Sequence, residues 1–195
     1  MSELTIEKIA MKINKCLECK LGPTRKNSVP GEGNVKAPIM FIGEAPGADE
    51  DSQGRPFVGR AGKLLTQILE SVNIKREEVY ITNVVKCRPP NNRVPEPDEV
   101  LACKKHLLSQ IEAIGPKIIC ALGSTATKFL LGDDIGNISK IRGNWYDFNE
   151  SIKLMPLYHP SYLLRNPSKE PGTPKHQMWC DIKKIRAAYD EIISK

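Results

Sequence analysis

No stretch of this 195-residue chain is apolar for long enough to cross a bilayer, which takes about 20 consecutive apolar residues. Its opening, MSELTIEKIAMKI, carries acidic residues and no apolar core of the secretory kind. A signal peptide and a membrane anchor are therefore not expected, and the chain reads as cytoplasmic. Internal repeats, low-complexity tracts and a convincing linker are missing too. Residues 1–195 are thus expected to fold as one domain, large enough to bury a core without disulfides. The phosphate-loop pattern, GxxxxGK followed by Ser or Thr, is absent. So is a second C-x2-C knuckle, which a zinc ribbon would usually show.

What the chain does have is a net charge of +6 and a pI near 9.0. That balance fits a polyanionic partner, because phosphates attract Lys and Arg and release counterions. There are six cysteines, which a reducing compartment would leave unpaired. They are core thiols, catalytic groups or metal ligands, and their spacing has to decide.

Apolar patterning alternates in type along the chain. Residues 38–43, 79–85, 117–122 and 152–157 read as short strands, the first and third buried on both faces. Pro156 in the last of these points to an edge or to irregular pairing. Between them, Leu64, Leu65, Ile68, Leu69 and Val72 share a helical face. Pro97 opens a helix carrying Val100, Leu101, Leu107, Leu108 and Ile111. Gly123 to Gly132 bounds a short helix, and Met178, Ile182, Ile185, Tyr189 and Ile192 stripe the last one. Strand–helix alternation predicts a mainly parallel sheet with helices on both faces. Ligands of such folds bind beyond the carboxyl ends of the strands, so the loops after Ile42, Ile81, Leu122 and Leu157 are the ones to watch.

Cys16 and Cys19 form a C-x2-C pair after the first helix. Cys87 follows the second strand, and Cys103 lies in the next helix. None of the four sits in an apolar run, so a closed four-thiolate site is expected, with zinc and a [4Fe–4S] cluster both acceptable. Cys120, inside Ile-Ile-Cys-Ala-Leu, reads as a small core hydrophobe, and Cys180 as structural.

The first strand runs into Gly43-Glu-Ala-Pro-Gly-Ala-Asp-Glu-Asp51, then Gly54-Arg-Pro-Phe-Val-Gly-Arg60. Its glycines let backbone approach a ligand, but its four carboxylates would repel phosphate. A metal-binding acid cluster and a solvated loop both remain open. Phe57 can stack on a flat base, or pack in the core. Asn83 closes the second strand, where Asn is unusual. Its amide matches the O4 acceptor and N3–H donor of uracil and mismatches cytosine; capping the turn is the alternative. His159-Pro-Ser-Tyr-Leu-Leu-Arg165 follows the fourth strand. There Tyr162, Leu163 and Leu164 form an apolar group beside a cation, as in wedges that hold unstacked DNA open, or else a buried turn.

Taken together, these segments resemble the family 4 uracil-DNA glycosylases, the iron–sulfur branch of that superfamily. The motifs, in order, are the C-x2-C, Gly43-Glu-Ala-Pro-Gly47, Gly54-Arg-Pro-Phe-Val-Gly59, Thr82-Asn-Val-Val-Lys-Cys87, Cys103 and His159-Pro-Ser-Tyr-Leu-Leu-Arg165. The resemblance implies an α/β fold, a three-layer α/β/α sandwich around a four-stranded parallel sheet, and a [4Fe–4S] cluster held by Cys16, Cys19, Cys87 and Cys103. It implies a monofunctional glycosylase acting on uracil in single- and double-stranded DNA. A monomer is expected, with a sliding clamp as a candidate partner.

The resemblance also implies roles. Gly43 would border the uracil, Phe57 would stack on it, and Asn83 would read its edge. His159 would hydrogen-bond uracil O2. Ser161, Tyr162, Leu163, Leu164 and Arg165 would face the DNA. Where the best-known branch of the superfamily has a water-activating Asp, this chain has Ala45. Placing the water then falls to Glu44 or to a backbone carbonyl. The tyrosine that bars the thymine methyl in that branch aligns with Gly47, and Glu50 is the expected substitute.

Overall fold

The computed structural model describes residues 5–194; residues 1–4, part of the acidic opening stretch, lie outside the described residues. Helix α1 (Ile6–Lys15) starts where the Thr5 hydroxyl accepts from the Lys8 N–H, and it buries Ile9 and Ile13, four residues apart. Strands β1 (Glu32–Gly33) and β2 (Ile39–Gly43) lead to the short α2 (Ala48–Gln53) and to α3 (Arg60–Glu70). Next come β3 (Tyr80–Asn83), α4 (Pro97–Ile114), β4 (Ile118–Leu122), α5 (Ser124–Leu131) and the single turn α6 (Ile138–Ile141). The chain closes with β5 (Tyr146–Asp147), β6 (Lys153–Leu157), α7 (Pro160–Arg165) and α8 (Pro174–Ile193).

The four expected strands pair in parallel, in the order β3-β2-β4-β6. The sheet has six strands rather than four, because β1 and β5 add antiparallel edges of two residues each. Segments that short carry no period-two signal in sequence. Pro156 lies beyond the two residues that β5 pairs, so no ladder bond is lost on that side; its carbonyl accepts from Gly143 N–H at 2.9 Å.

Alternate residues of each strand feed opposite cores. Ile39, Phe41, Ile118, Cys120 and Leu122 meet α3 and α8 through Leu65, Leu69, Ile182 and Ile185. Met40, Ile42, Ile119 and Ala121 meet α4 and α5 through Leu107, Ile111 and Ala126. Burial on both faces is why these strands read as unbroken apolar runs, and the result is an α/β/α sandwich. One expected helix face shifts. In α4, Leu101 and Leu108 are exposed, while Glu99, His106 and Gln110 are buried with Leu107 and Ile111. Among the described residues, no helix is long and apolar enough to cross a membrane.

From β2 the chain moves to β3 on one side, then returns to β4 on the other. The loops after β2 and β4 therefore leave toward opposite faces and open a crevice at the carboxyl ends.

Candidate functional site

The crevice, about 620 Å3, is floored by the ends of β2 and β3, where Gly43 pairs with Asn83. A Cβ added to Gly43 would stand 2.5 Å from both Asn83 Oδ1 and Phe57 Cζ. Glycine is thus what lets the ring and the amide share one floor.

Phe57 is buried and holds φ 51°, a region that non-glycine residues seldom occupy. Glu50 keeps it there. Its Oε1 accepts from the Val58 and Gly59 N–H groups at 2.9 and 2.8 Å, and its Oε2 accepts from Gly47 N–H at 3.1 Å. Gly62 backs the same turn, since a Cβ there would lie 1.8 Å from the Phe57 carbonyl oxygen. Among the described residues, the loop carboxylates are not gathered as ligands of one ion. Glu50 braces this loop, and buried Asp51 accepts from the N–H groups of Lys26 and Asn27.

Asn83 is 1% exposed, and its Oδ1 has no hydrogen-bond partner. A buried amide acceptor without a donor is costly, on the order of 1–3 kcal/mol, and asks for an explanation. The backbone carbonyl of the same residue, by contrast, is partnered. The Lys86 ammonium, buried, donates to the Asn83 carbonyl at 2.6 Å, to Thr82 Oγ1 at 2.7 Å and to Gln110 Oε1 at 2.7 Å.

His159 caps α7. Its Nδ1 accepts from the Ser161 N–H at 3.2 Å, with Ser161 Oγ at 2.8 Å. An acceptor Nδ1 leaves the ring proton on Nε2. Burial, reinforced by Arg165, pushes the imidazole pKa down to about 4, so the ring is neutral across the physiological range. The ring centroid lies 5.8 Å from that of Phe57. Across the crevice, Glu44 Oε2 accepts from the hydroxyl of Thr125 in the first turn of α5.

Most of the expected site residues therefore line one cavity: Glu44, Glu50, Phe57, Asn83, His159, Ser161, Tyr162 and Arg165. The expected turn after His159 is a short helix, and it splits the apolar group. Tyr162 is exposed and Leu164 half-buried, but Leu163 is 1% exposed and packs into the core with α3 and α8. One helical turn cannot aim three consecutive side chains the same way. The structure adds Thr125, whose partner is 81 positions away. It also adds a wall from Pro89, Asn92 and Arg93, where Arg93 forks onto the buried Glu99 carboxylate at 2.8 and 2.6 Å. The Pro-Pro-Asn-Asn run, with Asn91 and Asn92 at positive φ, was the available sign of a shaped loop there.

Cys16, Cys19, Cys87 and Cys103 line a second, small cavity between the end of α1, the segment after β3, and α4. All are free thiols. Arg25 donates to Cys87 Sγ at 3.0 Å and to the Cys16 carbonyl at 2.9 Å. Burial raises the Cys87 thiol and pushes Cys103 up to about 11. Among the described residues, no three His, Cys, Asp or Glu side chains are gathered as ligands of a single ion. Cys120 is buried in β4, as its apolar surroundings predict.

A family model described as the uracil DNA glycosylase superfamily matches residues 30–183. The chain belongs to the uracil-DNA glycosylase superfamily. Within it, a type-4 uracil-DNA glycosylase of Thermotoga maritima is 52% identical over 168 residues, covering 86% of this chain and 88% of the relative. One from Archaeoglobus fulgidus is 45% identical over 187 residues, 93% and 92% of the two chains. A type-5 enzyme of Pyrobaculum aerophilum is 31% identical over 150 residues, 69% and 66%. The superfamily match spans every crevice residue named above; Cys16 and Cys19 lie before it.

Proposed function

We propose that this chain is a type-4 uracil-DNA glycosylase, which flips uracil out of DNA and hydrolyses its N-glycosidic bond to leave an abasic site. The observation that carries the reading is the partnerless Asn83 Oδ1, buried beside Phe57 and His159. Uracil brings the missing donor. Its N3–H meets Oδ1, and its O4 accepts from Asn83 Nδ2. Cytosine would set its bare N3 against Oδ1 and its amino group against Nδ2, two repulsive contacts in a buried site.

Flipping the nucleotide costs a few kcal/mol, and stacking on Phe57 offsets about 1–3 kcal/mol of it. Tyr162 and Arg165, exposed at the rim, face the DNA together with Ser161. As the glycosidic bond breaks, negative charge gathers on uracil. The Nε2–H of neutral His159 points its dipole at O2, and a preorganised donor of that kind is worth roughly 3–4 kcal/mol. Glu44, oriented by Thr125, holds the water that attacks C1′. Glu50 acts here by holding Phe57 and the Gly47 loop against the base, which also narrows the room for a thymine methyl.

We assign Cys16, Cys19, Cys87 and Cys103 to a [4Fe–4S] cluster. The donor set suits it: four unpaired thiols share one cavity, with the Arg25 guanidinium on one sulfur. Held by these four residues, a cluster would cross-link the end of α1, α4 and the segment after Asn83, a structural role.

The deciding experiment is excision from single- and double-stranded oligonucleotides carrying one uracil, with cytosine and thymine controls. Release of uracil alone is expected. A DNA-binding module without chemistry would bind the strand and leave the base in place. Iron and sulfide content, lost in Cys16→Ser, checks the cluster; stoichiometric zinc would refute it.

A further inference from the structure

On the far side of α7 from the crevice, a groove of about 540 Å3 opens between α3 and α8. Its floor is aliphatic, with Leu64, Ile68, Leu163, Met178 and Ile182. Trp179, 45% exposed, stands at its side with the His176 ring 6.4 Å away. Lys183 covers one face of the indole at 3.1 Å from the ring centre and does not line the groove, which leaves the rest of the ring to a ligand. Lys169 and Lys175 flank the opening, Gln67 and Ser71 supply neutral polar groups, and no carboxylate lines it.

We propose that this groove is a second nucleotide subsite, which stacks an unstacked base of the DNA strand on Trp179 and takes its phosphates on Lys169 and Lys175. The proposal rests on the reading above, that the α7 rim faces DNA. Each part of the lining matches one part of a nucleotide. An apolar floor and an indole suit the flat base, an amide and a hydroxyl suit its edge, and two ammonium groups suit the backbone.

Continuity with the crevice favours a nucleic acid over an acidic peptide. α7 contributes Ser161, Tyr162 and Arg165 to the crevice and Leu163 to the groove. A helix with its side chains is about 10–12 Å across, so a strand that crosses α7 reaches the groove within a few nucleotides of the uracil.

The test uses single-stranded oligonucleotides with one uracil, bearing a 2′-fluorine to block cleavage, whose flanks are trimmed one nucleotide at a time. Wild-type affinity should fall about fivefold or more when one flank drops below about three nucleotides, or when that base becomes an abasic spacer. Trp179→Ala should remove this dependence. The pair Lys169→Glu and Lys175→Glu should reduce the slope of log affinity against log salt by about one to two. Trp179 is 45% exposed, so its truncation should lower the melting temperature by a few degrees only, and affinities are compared well below that range. Excision from an oligonucleotide lacking that flank should be equal in wild type and Trp179→Ala, whereas a wrong uracil pocket would show on every substrate. Affinities within about twofold of wild type on all oligonucleotides would overturn the subsite, since stacking is worth more than that. So would a labelled acidic, leucine-rich peptide that binds wild type and not Trp179→Ala while the flank dependence persists, because the groove would then serve a protein.

Discussion

Asn83 and Lys86 stand three residues apart, and the protein treats them in opposite ways. Both are buried. Lys86 meets three acceptors and is fully satisfied, whereas the side-chain amide oxygen of Asn83 has no donor. Around Asn83 the site is held under similar constraint: Phe57 keeps a strained φ, and burial keeps His159 neutral. Lys86 is matched within the chain and braces the frame. Of the buried side-chain atoms without a partner among the described residues, Asn83 Oδ1 alone belongs to a residue lining the crevice, and on the proposed reading it is kept for uracil.

The largest blow to that contrast should come from Asn83→Asp, which reverses the donor side of the amide. Uracil excision is expected to fall by about 10^4-fold, as when a site built to read a polar edge loses its match. Residual activity should move toward cytosine, and unchanged uracil excision would refute the base-reading role. His159→Ala should come next, lowering the single-turnover rate by about 10^2- to 10^3-fold with oligonucleotide affinity little altered; a drop confined to affinity would reassign the histidine to binding.

Lys86→Met attacks the frame instead. It strands the acceptors on Thr82, Asn83 and Gln110, so thermal or denaturant unfolding should report a loss of about 2 kcal/mol. Rates under conditions where the variant is folded should fall far less than for Asn83→Asp. Near neutrality the smallest effect is a pH tilt, which grows as the solution is acidified. With a folded pKa of about 4 against 6.5 when free, unfolded His159 binds a proton between those values that the folded ring refuses. Stability from this group is therefore complete above about pH 6.5 and is lost as pH falls toward 4. A few degrees of Tm should follow that window, with a flatter profile in His159→Gln. Single-turnover rates of the wild type should show no inflection near pH 6.5 from this histidine.

Sequence reading reached the parallel strands because burial on both faces leaves an unbroken apolar run. It reached the crevice because the unusual residues sit at strand ends. It missed the brace on Phe57, which depends on Glu50 reaching two N–H groups eight and nine residues ahead. Thr125 stayed hidden for a stronger reason: only the fold brings α5 to the loop after β2. The α4 face was misjudged at Leu101 and Leu108 because its buried side includes Glu99, His106 and Gln110, which apolar periodicity counts as solvent-facing.

By itself the chain determined the four parallel strands and the main helices between them, because periodicity is local, and it marked Cys16, Cys19, Cys87, Cys103 and Glu44, Phe57, Asn83, His159 as candidates through spacing and family resemblance. Tertiary structure alone decided that Leu163 turns inward while Tyr162 stays out, that the His159 proton sits on Nε2, and that Asn83 Oδ1 has no partner. Burial and hydrogen-bond balance are properties of what packs against a residue, and those neighbours come from distant parts of the chain.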